Sequence, residues 1–183
     1  MKINKHFLNG AFIIELEPCK DSRGEFTRLF CQNEFGVLGW HKQIVQINHS
    51  FTIKKGVIRG LHFQNPPKAE IKIVKCINGS VFDVCIDLRC GSPTFLNWYS
   101  NILSGDDHQM VYIPEGFAHG YQTLDTNSEI IYFHSEFYSP ECESGVRFDD
   151  PLIAIKWPIT ITEVSEKDKK HTYIHDNYRG ILL

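Results

Sequence analysis

Residues 71–88 read Ile71-Lys72-Ile73-Val74-Lys75-Cys76-Ile77-Asn78-Gly79-Ser80-Val81-Phe82-Asp83-Val84-Cys85-Ile86-Asp87-Leu88. The first half is β-branched, with Lys72 and Lys75 interrupting the apolar positions. Asn78-Gly79 supplies the residue types that a type I′ turn needs, because both central positions take positive φ. Beyond it, Phe82, Val84, Ile86 and Leu88 alternate with Val81, Asp83, Cys85 and Asp87. That period of two marks a strand with one buried and one mixed face. The stretch predicts two strands joined as a hairpin.

The same reading extends outward. Apolar, β-branched or alternating segments predict strands at 11–14, 43–48, 98–103, 109–113, 120–124, 129–134 and 146–148. Only 32–35 and 165–170 are plausible as short helices. Many short strands separated by turns predict an all-β protein, an antiparallel double-sheet jelly roll of the cupin-like kind. The 183 residues suit a single domain spanning 1–183, without linker or internal repeat.

Composition narrows the function. The net charge of −3 and a pI near 6.3 give no electrostatic case for nucleic acid or an anionic membrane, so neither is expected as a partner. The six cysteines form no CxxC pair, and Cys76 and Cys85 lie in apolar strand patterns where a thiol packs as a small hydrophobe. No segment reads as a signal peptide and no apolar run is long enough to cross a membrane. The expected localisation is cytoplasmic, with reduced thiols.

The chemistry concentrates around Arg59-Gly60-Leu61-His62-Phe63-Gln64, followed by Lys72. An imidazole near neutral pKa and an ammonium on neighbouring strands would suit proton removal and stabilisation of the resulting anion. Taken alone, such a pair is more often a core histidine and a surface lysine. A metal is not expected: the His-x-His pair that shares a strand face is broken at Gln64, and His119 is followed by Gly120 and Tyr121. His171 and His175 would need a helix to share a face, whereas residues 172–174 are β-prone, so both read as solvated. Neither a P-loop nor a dinucleotide fingerprint occurs, which leaves anion binding to arginines such as Arg23, Arg28 and Arg59 and to Lys72 or Lys167. No nucleophile elbow is present. The remaining proton-transfer candidates are His119, Tyr132, Tyr138 and Asp168.

Longer motifs point further. Asp21-Ser22-Arg23-Gly24-Glu25-Phe26, Gln46-Ile47-Asn48-His49-Ser50, Lys55 to Gln64, Gly79 to Arg89 with Ser92-Pro93-Thr94-Phe95, Ile113-Pro114-Glu115-Gly116-Phe117-Ala118-His119-Gly120, Asp149-Asp150-Pro151, Ile155-Lys156-Trp157-Pro158 and Ser165-Glu166-Lys167-Asp168 stand in this order. Together they resemble the dTDP-4-dehydrorhamnose 3,5-epimerase family of nucleotide-sugar epimerases, from about Gly10 to Asp168. The resemblance implies a cofactor-independent, metal-free jelly roll that works as a homodimer on a nucleoside-diphospho-4-keto-6-deoxy sugar, in cell-surface polysaccharide biosynthesis. It implies His62 as the base paired with Asp168, Tyr132 as the acid on the opposite sugar face, and Lys72 as the cation beside the enolate oxygen. It implies substrate contacts from Arg23, Phe26, Arg28, Gln46, Asn48, Arg59, His119, Glu143 and Lys167, with Tyr138 stacked on the base. The family usually has a glutamate where this chain has Arg28, which implies altered recognition of the base, cytidine being the simplest match to an added donor. Residues from about 169 onward depart from the family and read as a variable tail. The alternatives are a single-centre epimerase on a non-thymidine sugar nucleotide and a non-catalytic sugar-nucleotide-binding barrel.

Overall fold

The computed structural model describes residues 1–37, 40 and 42–183, and the side chains of all of these except 3–6 and 37. Its elements in chain order begin with β1 (Lys2–Leu8), β2 (Ala11–Glu15), β3 (Cys19–Asp21), β4 (Gly24–Phe26) and the short helix α1 (Gln32–Val37). Then come β5 (Gln46–Thr52), β6 (Val57–Gln64), β7 (Lys72–Asn78), β8 (Ser80–Asp87) and β9 (Trp98–Ser104). The last are β10 (Gln109–Ile113), β11 (Phe117–Thr123), β12 (Ser128–His134), β13 (Glu143–Gly145) and β14 (Glu163–Val164), with one 3-10 turn at Asp168–Lys170.

Two sheets face each other. The first runs β1-β2-β10-β7-β12-β5, and the second runs β13-β6-β11-β8-β9 with β14 added parallel to β6. This is the antiparallel double-sheet architecture of a jelly roll. β3 and β4 form a separate two-stranded arm whose residues are all exposed.

Each strand contributes to a different core on each face, as the alternation of side chains demands. Val74, Cys76, Val81, Cys85, Val111, Tyr121 and Ile130 meet between the sheets. The outer face of the first sheet buries Ile14, Ile73, Met110 and Phe133 beneath Phe35 and Trp40, around α1. The outer face of the second buries Leu61, Val84, Ile86 and Leu88 beneath Ile153, Ile181, Trp157 and Tyr178. β8 is therefore covered on both faces, and its even-numbered positions pack under the C-terminal segment. That segment is anchored: Cys90 N–H donates to the Ile181 carbonyl and Ile181 N–H to that of Leu88.

Several expectations need correction. Asn78-Gly79 is not a hairpin turn: β7 lies in the first sheet and β8 in the second, so the chain turns a corner between sheets, with Gly79 at φ +69°. Local sequence specifies the tight turn, but the partner of each strand is chosen by long-range burial. His62 and Lys72 are consequently not on neighbouring strands but on facing sheets. The strand expected at 146–148 forms three residues earlier, as β13 against β6, and the helix expected at 165–170 shrinks to the 3-10 turn.

One irregularity positions the site. His119 pairs with His62 and Tyr121 with Arg59, so β6 spends one more residue than β11 over that interval. In a regular strand Arg59 and His62 would point to opposite faces; the bulge turns both inward. It is possible because Gly60 and Gly120 let the strands approach: a Cβ on Gly120 would lie 2.6 Å from the Arg59 carbonyl oxygen and 3.1 Å from the Gly60 Cα. Gly120→Ala should therefore destabilise the protein by about 1–3 kcal/mol, the usual cost of overpacking a filled interior, and lower activity through displacement of His62. Chemical denaturation measures the first effect, and unchanged stability would show that the strands can part without cost.

Candidate active site

Alternation along three adjacent strands builds one wall of a cleft between the sheets. On β12, Tyr132 and His134 point inward. Their partners across the ladder are Asn48 and Gln46 on β5, and Val74 and Lys72 on β7. The opposite wall presents Arg59 and His62 from β6 and His119 from β11, closed by Ser165, Lys167 and Asp168. The cleft measures about 390 Å³.

Imidazole–carboxylate pairs stand on both walls. His62 Nε2 lies 2.7 Å from Asp168 Oδ1, and the second Asp168 oxygen accepts the Gly60 N–H at 3.2 Å. His119 Nε2 lies 2.7 Å from Asp83 Oδ2. His134 Nδ1 lies 2.7 Å from Glu70 Oε2. Exposure separates them: the side chains of His119 and His134 are 4% and 10% accessible, whereas that of His62 is 33%. Among the described residues the Nδ1 of His62 has no hydrogen-bond partner, so its lone pair is available to the cleft. Of these three pairs, His62 alone combines a buried carboxylate behind the ring with a nitrogen in front that is both unbonded and open to the cleft. Burial pushes the Asp168 carboxyl up, but the hydrogen bond and charge of His62, with the Gly60 N–H and Ser165, outweigh it and hold the group below its ordinary value.

Facing His62, the Lys72 ammonium donates to the His62 carbonyl at 3.3 Å and pairs with Glu70 at 3.0 Å, which ties the two sheets together. Tyr132 sits edge-on to His119, ring centroids 6.2 Å apart. Burial, with Tyr121 and Asp83 nearby, pushes its phenol well above the ordinary value, so it stays protonated. At the mouth, Tyr138 Oη donates to Glu143 at 2.6 Å, and Glu143 also pairs with Lys167 at 2.5 Å. Arg59 donates to Thr52 Oγ1 at 3.0 Å.

Four residues expected as catalytic (His62, Lys72, Tyr132 and Asp168) thus line one cleft, together with Gln46, Asn48, Arg59, His119, Tyr138, Glu143 and Lys167. Arg23, Phe26 and Arg28 do not. Arg23 pairs with Asp21 on the exposed arm, Phe26 is 70% accessible, and Arg28 pairs with Glu34 at 2.6 Å.

The sequence reading missed His171, Glu70 and His134. His171 is not solvated: its ring packs edge-on against His62 at 5.7 Å, in the space that a Cβ on Gly145 would fill. Its Nε2 is buried without a hydrogen bond among the described residues. The ligand atoms of His62, Asp168 and His171 lie within 4.8 Å of one another, the one set among the described residues that could hold a metal ion. The 2.7 Å spacing of His62 and Asp168 is that of a hydrogen bond. The only advance signal for His171 was its closeness in sequence to Asp168.

An imidazole backed by a carboxylate, an ammonium and a protonated phenol around one cleft are the groups that moving a proton at a carbon next to a carbonyl requires, the chemistry of a carbohydrate epimerase. A family model described as dTDP-4-dehydrorhamnose 3,5-epimerase matches residues 5–176. The chain belongs to that family. A dTDP-4-dehydrorhamnose 3,5-epimerase from Methanothermobacter thermautotrophicus is 40% identical over 176 residues, 94% of either chain. The structure of the Bacillus anthracis enzyme with TDP and PPi bound superposes with a TM-score of 0.92 at 38% identity, covering 94% of this chain and 99% of that one. The Legionella pneumophila enzyme in complex with dTDP-4-keto-L-rhamnose gives 0.89 at 37%, covering 94% and 92%.

The Asp168 carboxyl lies below its ordinary value in the folded protein. Its stabilising contribution is therefore complete above about pH 4, the unfolded value, and is lost as pH falls through the folded one. Asp168→Asn should be less stable than the parent by about 1–3 kcal/mol at pH 7, with the gap closing below about pH 4. Urea unfolding of both proteins across pH 3–7 measures this, and a gap independent of pH would contradict it.

Proposed function

We propose that the chain inverts carbons 3 and 5 of a dTDP-4-keto-6-deoxy sugar, as a dTDP-4-dehydrorhamnose 3,5-epimerase. The observation that carries this is the half-open imidazole of His62, backed by a buried carboxylate and faced from the other sheet by an ammonium and a protonated phenol. A 4-keto group acidifies the hydrogens at carbons 3 and 5. His62 takes one of them through Nδ1, and Asp168 stabilises the imidazolium formed. The pair of electrons moves onto the carbonyl oxygen, where Lys72 offsets the charge of the enolate. Tyr132 returns a proton to the opposite face of the carbon. A positioned base or acid of this kind contributes about 10²–10⁴ in rate. No redox step enters this scheme, and none of its steps uses a cofactor.

Arg23, Phe26 and Arg28 match ligand-contact positions of the family but stand outside the cleft of their own chain. A homodimer in which each exposed arm reaches the other copy's cleft reconciles the two. No described helix is long and apolar enough to cross a membrane. Arg28 supports a second reading, recognition of another base, because its guanidinium would bring a donor where thymine presents one. Calorimetry with dTDP, CDP, UDP and GDP separates the readings: tightest binding of dTDP supports thymidine, and tighter CDP lost in Arg28→Ala supports cytidine.

In D₂O, with deuterium located by NMR, the wild type should label and invert both carbons. His62→Ala should do neither. Tyr132→Phe should still exchange hydrogen for deuterium but lose inversion. Inversion at the normal rate in Tyr132→Phe would assign the acid elsewhere, and turnover in His62→Ala would remove the base.

A Lys72→Met variant should lose more in kcat than in KM, because the oxyanion charge exists chiefly in the transition state and intermediate. Steady-state kinetics on the same substrate decide it; a pure KM effect would show that Lys72 only grips the sugar.

A further inference from the structure

The wall opposite His62 carries an imidazole–carboxylate pair that the mechanism above does not use. His134 and Glu70 are almost fully buried, with side chains 10% and 9% accessible. They belong to a continuous series of hydrogen bonds. Tyr138 N–H donates to Gln46 Oε1 at 3.1 Å. Gln46 Nε2 donates to Asn48 Oδ1 at 3.1 Å. Asn48 Nδ2 meets His134 Nε2 at 3.3 Å, and His134 Nδ1 meets Glu70 Oε2 at 2.7 Å. Glu70 Oε1 accepts from Lys72 at 3.0 Å, and Lys72 donates on to the His62 carbonyl at 3.3 Å.

Chemistry fixes every donor in this series, and the two ends converge on Glu70. A backbone N–H donates and never accepts, so Tyr138 assigns the oxygen of Gln46, which assigns the amide of Asn48. The Asn48 amide then donates to His134 Nε2, which must hold a lone pair, and the His134 proton must sit on Nδ1, facing Glu70. From the other end an ammonium also only donates, so Glu70 Oε1 accepts from Lys72 while Oε2 accepts from His134, as a carboxylate does. The two ends agree. Burial pushes the Glu70 carboxyl up, but the hydrogen bond of His134 and the charge of Lys72 outweigh it and hold the group below its ordinary value. An imidazolium at His134 would set donor against donor at Asn48. Both of its nitrogens are engaged, which is why it is unsuited to act as a second base, in contrast to His62.

We propose that Glu70 and His134 are positioning residues for the Lys72 ammonium, and that this series, converging on Glu70, couples it to the Gln46–Tyr138 edge of the cleft. The inference rests on the reading of Lys72 as the cation beside the reacting carbonyl. The stabilising charge is then held by a carboxylate that is itself oriented from the far side of the cleft. Glu70→Gln preserves shape but replaces one acceptor by a donor. If its oxygen stays toward Lys72, its amide opposes His134 Nδ1–H. If His134 moves its proton to Nε2, the conflict passes to Asn48. Either way a buried link is lost and Lys72 loses its counter-charge.

Two measurements test this. Long-range ¹H–¹⁵N NMR of the wild type at pH 7–8 should show His134 as a neutral ring protonated on Nδ1. Glu70→Gln should lower kcat by about 10–100-fold with KM within about threefold, because the ammonium acts chiefly on the transition state. A His134 protonated on Nε2, or doubly protonated, would overturn the series. A Glu70→Gln enzyme with kcat within twofold of the parent, or losing only KM, would overturn the positioning role. The NMR readout needs no substrate, so a wild type inactive on dTDP-4-keto sugars would count against the proposed function while the tautomer still decides the relay.

Discussion

A charge buried between two β-sheets persists only with an opposite charge or a set of donors beside it, because losing water costs several kcal/mol per ion. The inner faces of this protein follow that constraint throughout. Asp168 sits between His62 and the Gly60 N–H, Asp83 beside His119, and Glu70 between His134 and Lys72. The pairing is what allows a polar cleft to exist inside a barrel whose neighbouring strand positions are Val74, Cys76, Cys85 and Ile130. It also sorts the imidazoles by role. Those with both nitrogens engaged or deeply buried hold the architecture, and the one left half-open can take a proton.

Geometry at β6 makes the open one face the right way. The extra residue at Gly60 turns Arg59 and His62 onto the same face, and Gly120 opposite gives the bulge room. Two short motifs far apart in sequence are thus one device: the glycine before His62 and the glycine after His119 exist for each other. Lys72 crosses the gap to the His62 carbonyl, so the imidazole and the ammonium are tied to one another by a contact between sheets.

Much of this was legible in the chain. The period of two along 81–88 marks a strand, and 129–134 reads as another; the structure then shows Tyr132 with His134 on one face, as alternation along a strand requires. What local pattern could not contain was which sheet each strand would join. Asn78-Gly79 reads as a hairpin because the turn chemistry is right, yet β7 pairs with β10 and β12 while β8 pairs with β9 and β11. Strand choice depends on burying Val84, Ile86 and Leu88 under residues from 153–181, contacts that no window around residue 80 includes. The arm of β3 and β4 was illegible for the opposite reason: it buries nothing in this chain, so alternation leaves no mark on it. The motif reading located the cleft, but Glu70 and His134 lie outside those motifs and emerge only when the sheet register brings them beside Lys72.

The central claim is that the sugar lies between two walls, base on one side and acid on the other. A crystal structure with a dTDP-4-keto-6-deoxy sugar or an unreactive analogue tests it most directly. The account predicts the ring held between the sheets, with His62 Nδ1 about 3–3.5 Å from carbon 3 or 5 on one face, as a near-attack geometry requires. Tyr132 Oη should approach from the other face and Lys72 Nζ should lie within hydrogen-bonding distance of the carbonyl oxygen. A sugar bound with His62 and Tyr132 on the same face, or with Lys72 turned away from that oxygen, would contradict it.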